Sequence, residues 1–273
     1  RLLEVLAQKM AHKLGQPEPD LGDAPEKAFR EAWLPDLLDS LPEQACLVLL
    51  FDEFDVLADP DAEQAVAAFF PYLRELISHA PDRLQFVFVM GRNIDDLSSL
   101  ALSLFKGIPS KRVSLLNEQD TQDLICLSQE NGSLDWSAEA IRRVWALTNG
   151  HPFLTQQVCA HVWERAYADD PTETPSIRPE DVDAVIEQTL ESSRNSLEWI
   201  WDGLPPAERV VIAALAEAGP DPISQEKLET VLRNSGMRVL IRELRNAPQL
   251  LKEWDLIEPA DGGYRFRVEL LRR

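Results

Sequence analysis

Between Cys46 and Asp55 the chain reads Cys-Leu-Val-Leu-Leu-Phe-Asp-Glu-Phe-Asp, an apolar run that breaks into three carboxylates within four positions. Six apolar residues at roughly 3.3 Å each make a strand about 20 Å long, and the absence of polar alternation predicts burial on both faces. Apolar matter along the strand and acid at its carboxyl end is the pattern of an α/β sheet, whose ligand crevice lies outside the carboxyl ends of the strands. A buried strand simply capped by solvated acids has the same pattern, so the neighbouring segments decide.

A second run of this kind, Gln85-Phe86-Val87-Phe88-Val89-Met90-Gly91-Arg92-Asn93, follows some forty residues later. Between Asp61 and Ala80, the residues Ala65, Val66, Phe69, Phe70, Leu73, Leu76 and Ile77 recur at helical spacing. Strand, helix and strand predict a βαβ unit with parallel strands and a right-handed crossover. That topology puts Asp52, Glu53 and Arg92 on one edge of one sheet: two acids suited to a metal ion and a water, and one arginine suited to a phosphate oxygen.

These residues carry a resemblance. Leu50-Phe51-Asp52-Glu53-Phe54-Asp55 resembles the Walker B segment of the STAND division of AAA+-related ATPases, and Val89-Met90-Gly91-Arg92 resembles their sensor 1 strand. Leu147-Thr148-Asn149-Gly150-His151-Pro152-Phe153-Leu154 resembles the Gly-x-Pro signature, in the Gly-His-Pro form of bacterial AAA-like members. Leu204-Pro205-Pro206-Ala207-Glu208-Arg209 and Tyr264-Arg265-Phe266-Arg267-Val268 look like the start and the last strand of their winged-helix domain. None of these motifs is specific alone; four in the family's order, over nearly the whole chain, are.

The resemblance implies an α/β fold: the C-terminal part of a parallel-sheet P-loop NTPase core (1–116), a helical lid with the Gly-His-Pro motif and a linker (117–203), and a winged-helix domain (204–273). It implies ATP/ADP and Mg²⁺ as ligands, with Asp52 ordering the metal, Glu53 activating or orienting the attacking water and Arg92 sensing phosphate. Gly150, His151 and Pro152 would lie near the adenine, Pro152 passing nucleotide state to the lid. The same three residues also suit a plain helix–turn–helix corner, with Gly150 in the left-handed conformation and Pro152 at the first helical position. The function implied is a signalling switch in which ATP favours a homo-oligomer that activates attached or associated effector and sensor domains, and hydrolysis resets it.

One departure stands out. No Gly-x-x-x-x-Gly-Lys-[Ser/Thr] occurs, so no phosphate-cradling loop can be assigned. The chain begins with Arg1 rather than Met, and Leu2, Leu3, Val5, Leu6 and Met10 already have helical spacing. The expectation is a fragment that starts inside the NTPase domain; a non-catalytic scaffold with a vestigial nucleotide site is the alternative.

Downstream, Arg112-Val113-Ser114-Leu115-Leu116 reads as one more short strand, and Asn117 or Glu118 opens a helix to about Gln129. Ser137 suits the N-cap of a helix reaching Leu147. Asp169 to Pro179, with three prolines, reads as a linker, followed by a helix to about Trp201. Ala207–Ala218, Ser224–Asn234 and Arg238–Trp254 read as three helices, the last kinked or split at Pro248, and Asp261-Gly262-Gly263 as a hairpin turn. Three helices and a β-wing are the sequence pattern of a winged helix, which raises DNA binding through Arg238, Arg242, Arg245, Lys252, Arg265 and Arg267.

Charge argues against that. The net charge is −20. From Leu204 onward 11 basic residues meet 11 acidic ones, and the remaining 16 bases and 36 acids lie before it. Without a basic surplus, nucleic acid and anionic membranes are not expected as partners. No apolar run approaches the roughly 20 residues that span a bilayer, and no secretory signal is present, so a cytoplasmic location is expected. Cys46, Cys126 and Cys159 sit in apolar runs and read as reduced core residues. Cys159 and His161, two apart on a helix, do not share a face, and no metal site is expected there.

Overall fold

The computed structural model describes residues 2–58, 63–91, 105, 107–169, 171–234 and 241–273. It divides into two compact units, Arg1–Lys111 and Arg112–Arg273.

In the first unit the expected helix forms as α1 (Leu2–Leu14); of the residues read as its apolar face, Leu3 and Met10 are buried, with Ala7 and Ala11, while Leu2 and Val5 are exposed. A continuous helical stretch follows: α2 (Pro25–Ala28), a π-helical turn (Phe29–Trp33) and α3 (Leu34–Ser40). Strand β1 (Leu47–Phe51) and strand β2 (Leu84–Phe88) pair in parallel, in register from Leu47 opposite Leu84 to Phe51 opposite Phe88. Helix α4 (Glu63–His79) connects them, completing the expected βαβ unit. Arg83 locks the entrance to β2 by donating to the carbonyl oxygens of Ala45 (2.9 Å) and Leu38 (2.5 Å).

The expectation that β1 is buried on both faces is not met. Leu49, Leu84 and their neighbours pack against α1, α3 and α4, whereas Val48, Leu50, Val87 and Val89 are 49%, 73%, 44% and 50% exposed. Alternation along a strand sends successive side chains to opposite faces, and here one of those faces is open. Cys46 also departs from expectation: it is exposed rather than buried.

In the second unit, helix α5 (Glu118–Glu130) starts from Asn117, whose side chain accepts from the Asp120 amide at 2.8 Å. Helix α6 (Ala138–Thr148) starts from Ser137, whose hydroxyl accepts from the Ala140 amide at 3.2 Å. Helix α7 (Pro152–Ala166) completes a layer whose core joins Ile125, Val144, Leu147, Leu154, Val158 and Val162. Two readings need correction. Asp169 to Pro179 is not only linker: β4 (Ser176–Ile177) pairs in parallel with β3 (Asp135–Trp136). The helix expected from Pro179 is broken, into α8 (Pro179–Asp183) and α9 (Ile186–Gly203), because the turn at Ala184 and Val185 buries Val182, Val185 and Ile186 together.

The last seventy residues contain α10 (Pro206–Ala218), β5 (Ile223–Ser224), α11 (Gln225–Asn234), α12 (Ile241–Glu253), β6 (Ile257–Ala260), β7 (Gly263–Phe266) and α13 (Glu269–Arg272). The strands form an antiparallel sheet in the order β5-β7-β6. Asp261 (φ 43°) and Gly262 (φ 78°) make the β6–β7 turn, both left-handed as a two-residue hairpin requires. Helix α12 runs through Pro248 without dividing; its neighbours Ala247 and Leu251 are fully buried, and that burial offsets the lost hydrogen bond. Val210, Val211, Leu215 and Leu228 form a core with Ile223, Leu251 and Ile257. Val268 and Leu270 pack instead into the core of α5, α6 and α7, which ties this module to the preceding helices.

Candidate functional site

At the carboxyl end of β1 the backbone makes a short excursion. The Val89 amide donates to the Phe51 carbonyl oxygen (2.8 Å), and the Phe54 amide donates to the Val89 carbonyl oxygen (3.0 Å). One residue just past β2, Val89, thus pins both sides of Asp52-Glu53, which loop outward between the two bonds. Phe54 anchors the return: it is buried, with its ring 4.7 Å from Phe88, 5.7 Å from Phe70 and 5.8 Å from Phe105. Both acids are exposed. Asp52 accepts from the Glu53 amide through Oδ1 at 3.0 Å, leaving Oδ2 outside that bond.

Glu53 has φ 50°. A non-glycine residue in the left-handed region costs about 1–2 kcal/mol, and such conformations persist only where the surroundings impose them. The pins at Phe51 and Phe54 are those surroundings. The result is two adjacent, solvent-facing carboxylates on a backbone pinned at both ends at a sheet edge. That donor set fits Mg²⁺, which is held by one or two carboxylates and completes its shell with waters and substrate phosphates. Among the described residues no cluster of three or more His, Cys, Asp or Glu forms a protein-only metal cage. Arg92 follows Gly91 directly and lies outside the described residues.

In the second unit, Gly150, His151 and Pro152 form the corner between α6 and α7. Asn149 (φ 43°) and Gly150 (φ 76°) both turn left-handed, ending α6. The His151 amide donates to the Thr148 carbonyl oxygen (2.8 Å), and His151 Nδ1 accepts from the Leu154 amide (3.4 Å), so the imidazole caps α7. Pro152 holds the first helical position. Burial holds the His151 pKa below its ordinary value. The ring is therefore neutral at pH 7, with its proton on Nε2 while Nδ1 accepts. Beneath it, Thr155 Oγ1 donates to Thr148 Oγ1 (3.0 Å), which donates to the Val144 carbonyl oxygen (2.9 Å).

The segment expected as a strand at Arg112–Leu116 is not one. It is irregular, and the Leu116 amide donates to the Gly150 carbonyl oxygen (2.8 Å). A Cβ at Gly150 would overlap the Leu116 carbonyl oxygen and crowd Trp145 at 3.0 Å, so this position requires glycine twice over, for φ and for space.

Two features escaped sequence reasoning. The strained Glu53 backbone leaves no compositional trace, since Asp-Glu after a strand is common. Asp255, whose carboxylate gathers Arg112, Ser114 and Arg267, draws its partners from positions 12 and more than 140 residues away.

No protein-family model matches the chain, and no curated protein does. Among solved structures it is similar to the Walker-type ATPase paby2304 of Pyrococcus abyssi, with a TM-score of 0.62 and 16% identity over 99% of this chain and 77% of that one. The mixed α/β fold resembles that of this ATPase. Weaker likenesses are to the RuvB Holliday junction branch migration motor of Thermotoga maritima (TM-score 0.42, 14% identity, 97% of this chain and 80% of that one) and to the Orc1 protein of Aeropyrum pernix (0.40, 14%, 99% and 72%). These two are too loose to bear on function.

Proposed function

We propose that the chain is the Walker B half, lid and winged helix of an ATP-driven switch of the STAND type. The pinned Asp52-Glu53 excursion carries the reading: two carboxylates on a strained edge at the carboxyl end of a parallel strand, in a fold that resembles a Walker-type ATPase's. In this reading Asp52 holds Mg²⁺, which when bound neutralises phosphate charge. Glu53 accepts the proton of, or orients, the water that attacks the γ-phosphorus, and Arg92 meets a phosphate oxygen. Neutral His151 caps the corner that reports nucleotide state to the lid. The three helices and the β5-β7-β6 sheet after Leu204 support the winged-helix assignment. ATP binding favours homo-oligomers that engage effector domains, in a cytoplasmic setting.

The residues here fit the metal but not the grip on phosphates, which needs a loop of backbone N–H groups and a lysine. We therefore propose that a phosphate-binding segment lies outside this chain in the full polypeptide, and the open Val48-Leu50-Val87-Val89 face supports it, since parallel sheets are covered on both sides. In calorimetry the chain by itself binds ATP weakly or not at all; micromolar affinity contradicts the proposal. In the full polypeptide, Glu53→Gln abolishes hydrolysis while ATP stays bound, and unchanged turnover in that variant removes Glu53 from its role.

A further inference from the structure

The carboxylate of Asp255 sits just past α12, only 14% exposed, on a residue with φ 58°. Its Oδ2 accepts from Arg112 Nη2 (2.9 Å) and from the Ser114 hydroxyl, and its Oδ1 pairs with Arg267 Nη1. Arg267 belongs to the same module, and its amide donates to the Leu256 carbonyl oxygen (2.9 Å). Arg112 and Ser114 do not: they open the second unit, directly after Lys111. Two residues further on, the Leu116 amide is bonded to Gly150. The irregular stretch that opens the second unit is thus fastened at one end to Asp255 and at the other to the Gly-His-Pro corner, with no strand or helix of its own.

We propose that Asp255 is a latch that holds the stretch opening the second unit, Arg112 to Ser114, against the C-terminal module. With the latch closed, Arg112 and Ser114 are held on the Asp255 carboxylate. With it open, residues 112–114 are released, a span of roughly 10 Å at about 3.3–3.6 Å each, and the protection of the following Leu116 amide falls with them. The device suits this segment for three reasons. Charge-assisted hydrogen bonds on one little-exposed carboxylate are strong. They are side-chain bonds, so they break without unfolding a secondary element. The left-handed backbone at Asp255 fixes where the carboxylate sits. The corner at the far end is the same one that the ATP-switch reading makes responsive, but the latch stands without it.

The test is limited tryptic cleavage after Lys111 and Arg112, with amide exchange at Leu116, on the chain without nucleotide. Asn tolerates the left-handed region, so Asp255→Asn keeps the backbone and removes the charge. We expect cleavage at these two bonds to accelerate at least tenfold and Leu116 exchange to rise with it, while other tryptic sites of the second unit keep their rates. Arg265→Ala, which breaks the Arg265–Glu258 pair on the neighbouring hairpin, leaves both readouts unchanged. Rates equal to the parent's in Asp255→Asn overturn the latch, and so does acceleration spread evenly over the unit, which means general loosening. If Asp255→Asn does not fold, Ser114→Ala decides on the same readout: its hydroxyl is exposed, and Leu116 exchange that fails to rise threefold overturns the proposal.

Discussion

Replacing Gly150 with alanine separates two costs that usually arrive together. Gly150 and Gly132 have nearly the same backbone, φ 76° and 75°, but differ in space: a Cβ at Gly132 meets nothing within 4 Å, whereas at Gly150 it overlaps the Leu116 carbonyl oxygen. Gly132→Ala therefore costs only the left-handed strain, about 1 kcal/mol after the gain from a stiffer unfolded chain. Gly150→Ala adds displacement of the 115–117 segment. That loses the Leu116–Gly150 hydrogen bond, about 1 kcal/mol, and disturbs packing under Leu115 and Trp145 at about 1–2 kcal/mol more. The expected totals are about 1 and about 3–4 kcal/mol. In a unit of this size, 1 kcal/mol shifts Tm by roughly 2–4 °C, so the two variants differ by about 5–10 °C. Differential scanning calorimetry reads the shift. Equal shifts for the two glycines would refute the close-approach argument and leave Gly150 an ordinary helix terminator.

Other consequences follow from the same geometry. Glu53→Gly removes the strained side chain, so the first unit should keep its stability or gain up to about 1 kcal/mol in thermal melts; a loss above about 1 kcal/mol means that Glu53 supports the fold. His151 is partly buried with its pKa lowered from 6.5, so the folded state binds its proton less readily than the unfolded one. Its stabilising contribution is complete above about pH 7 and falls as pH drops through 6.5. His151→Asn, which can still cap α7, should flatten the decline in Tm between pH 7 and 5, and an unchanged slope would assign the decline to other groups. With a disulfide-forming aromatic thiol reagent at pH 8, exposed Cys46 reacts first, and Cys159, whose thiol burial pushes up to about 12, reacts only on unfolding. A fast phase that survives Cys46→Ser would contradict that order.

Periodicity carried the local elements. The helix begun at Leu2, the N-caps Asn117 and Ser137, and the left-handed turn at Asp261-Gly262 are decided within a few residues, because helix ends and hairpins are set by their own backbone bonds. The Cys46–Asp55 run likewise determined a strand ending in acids. Tertiary structure decided the rest. Whether a short apolar stretch such as Arg112–Leu116 becomes a strand depends on finding a ladder partner, and here its polar groups went to Gly150 and Asp255 instead. Whether Pro248 breaks its helix depended on how much apolar surface lies on either side. The left-handed Glu53 exists because Val89, thirty-six residues away, bonds the chain both before and after it. No residue type encodes that strain; it is imposed by contacts that form only when the two strands come together.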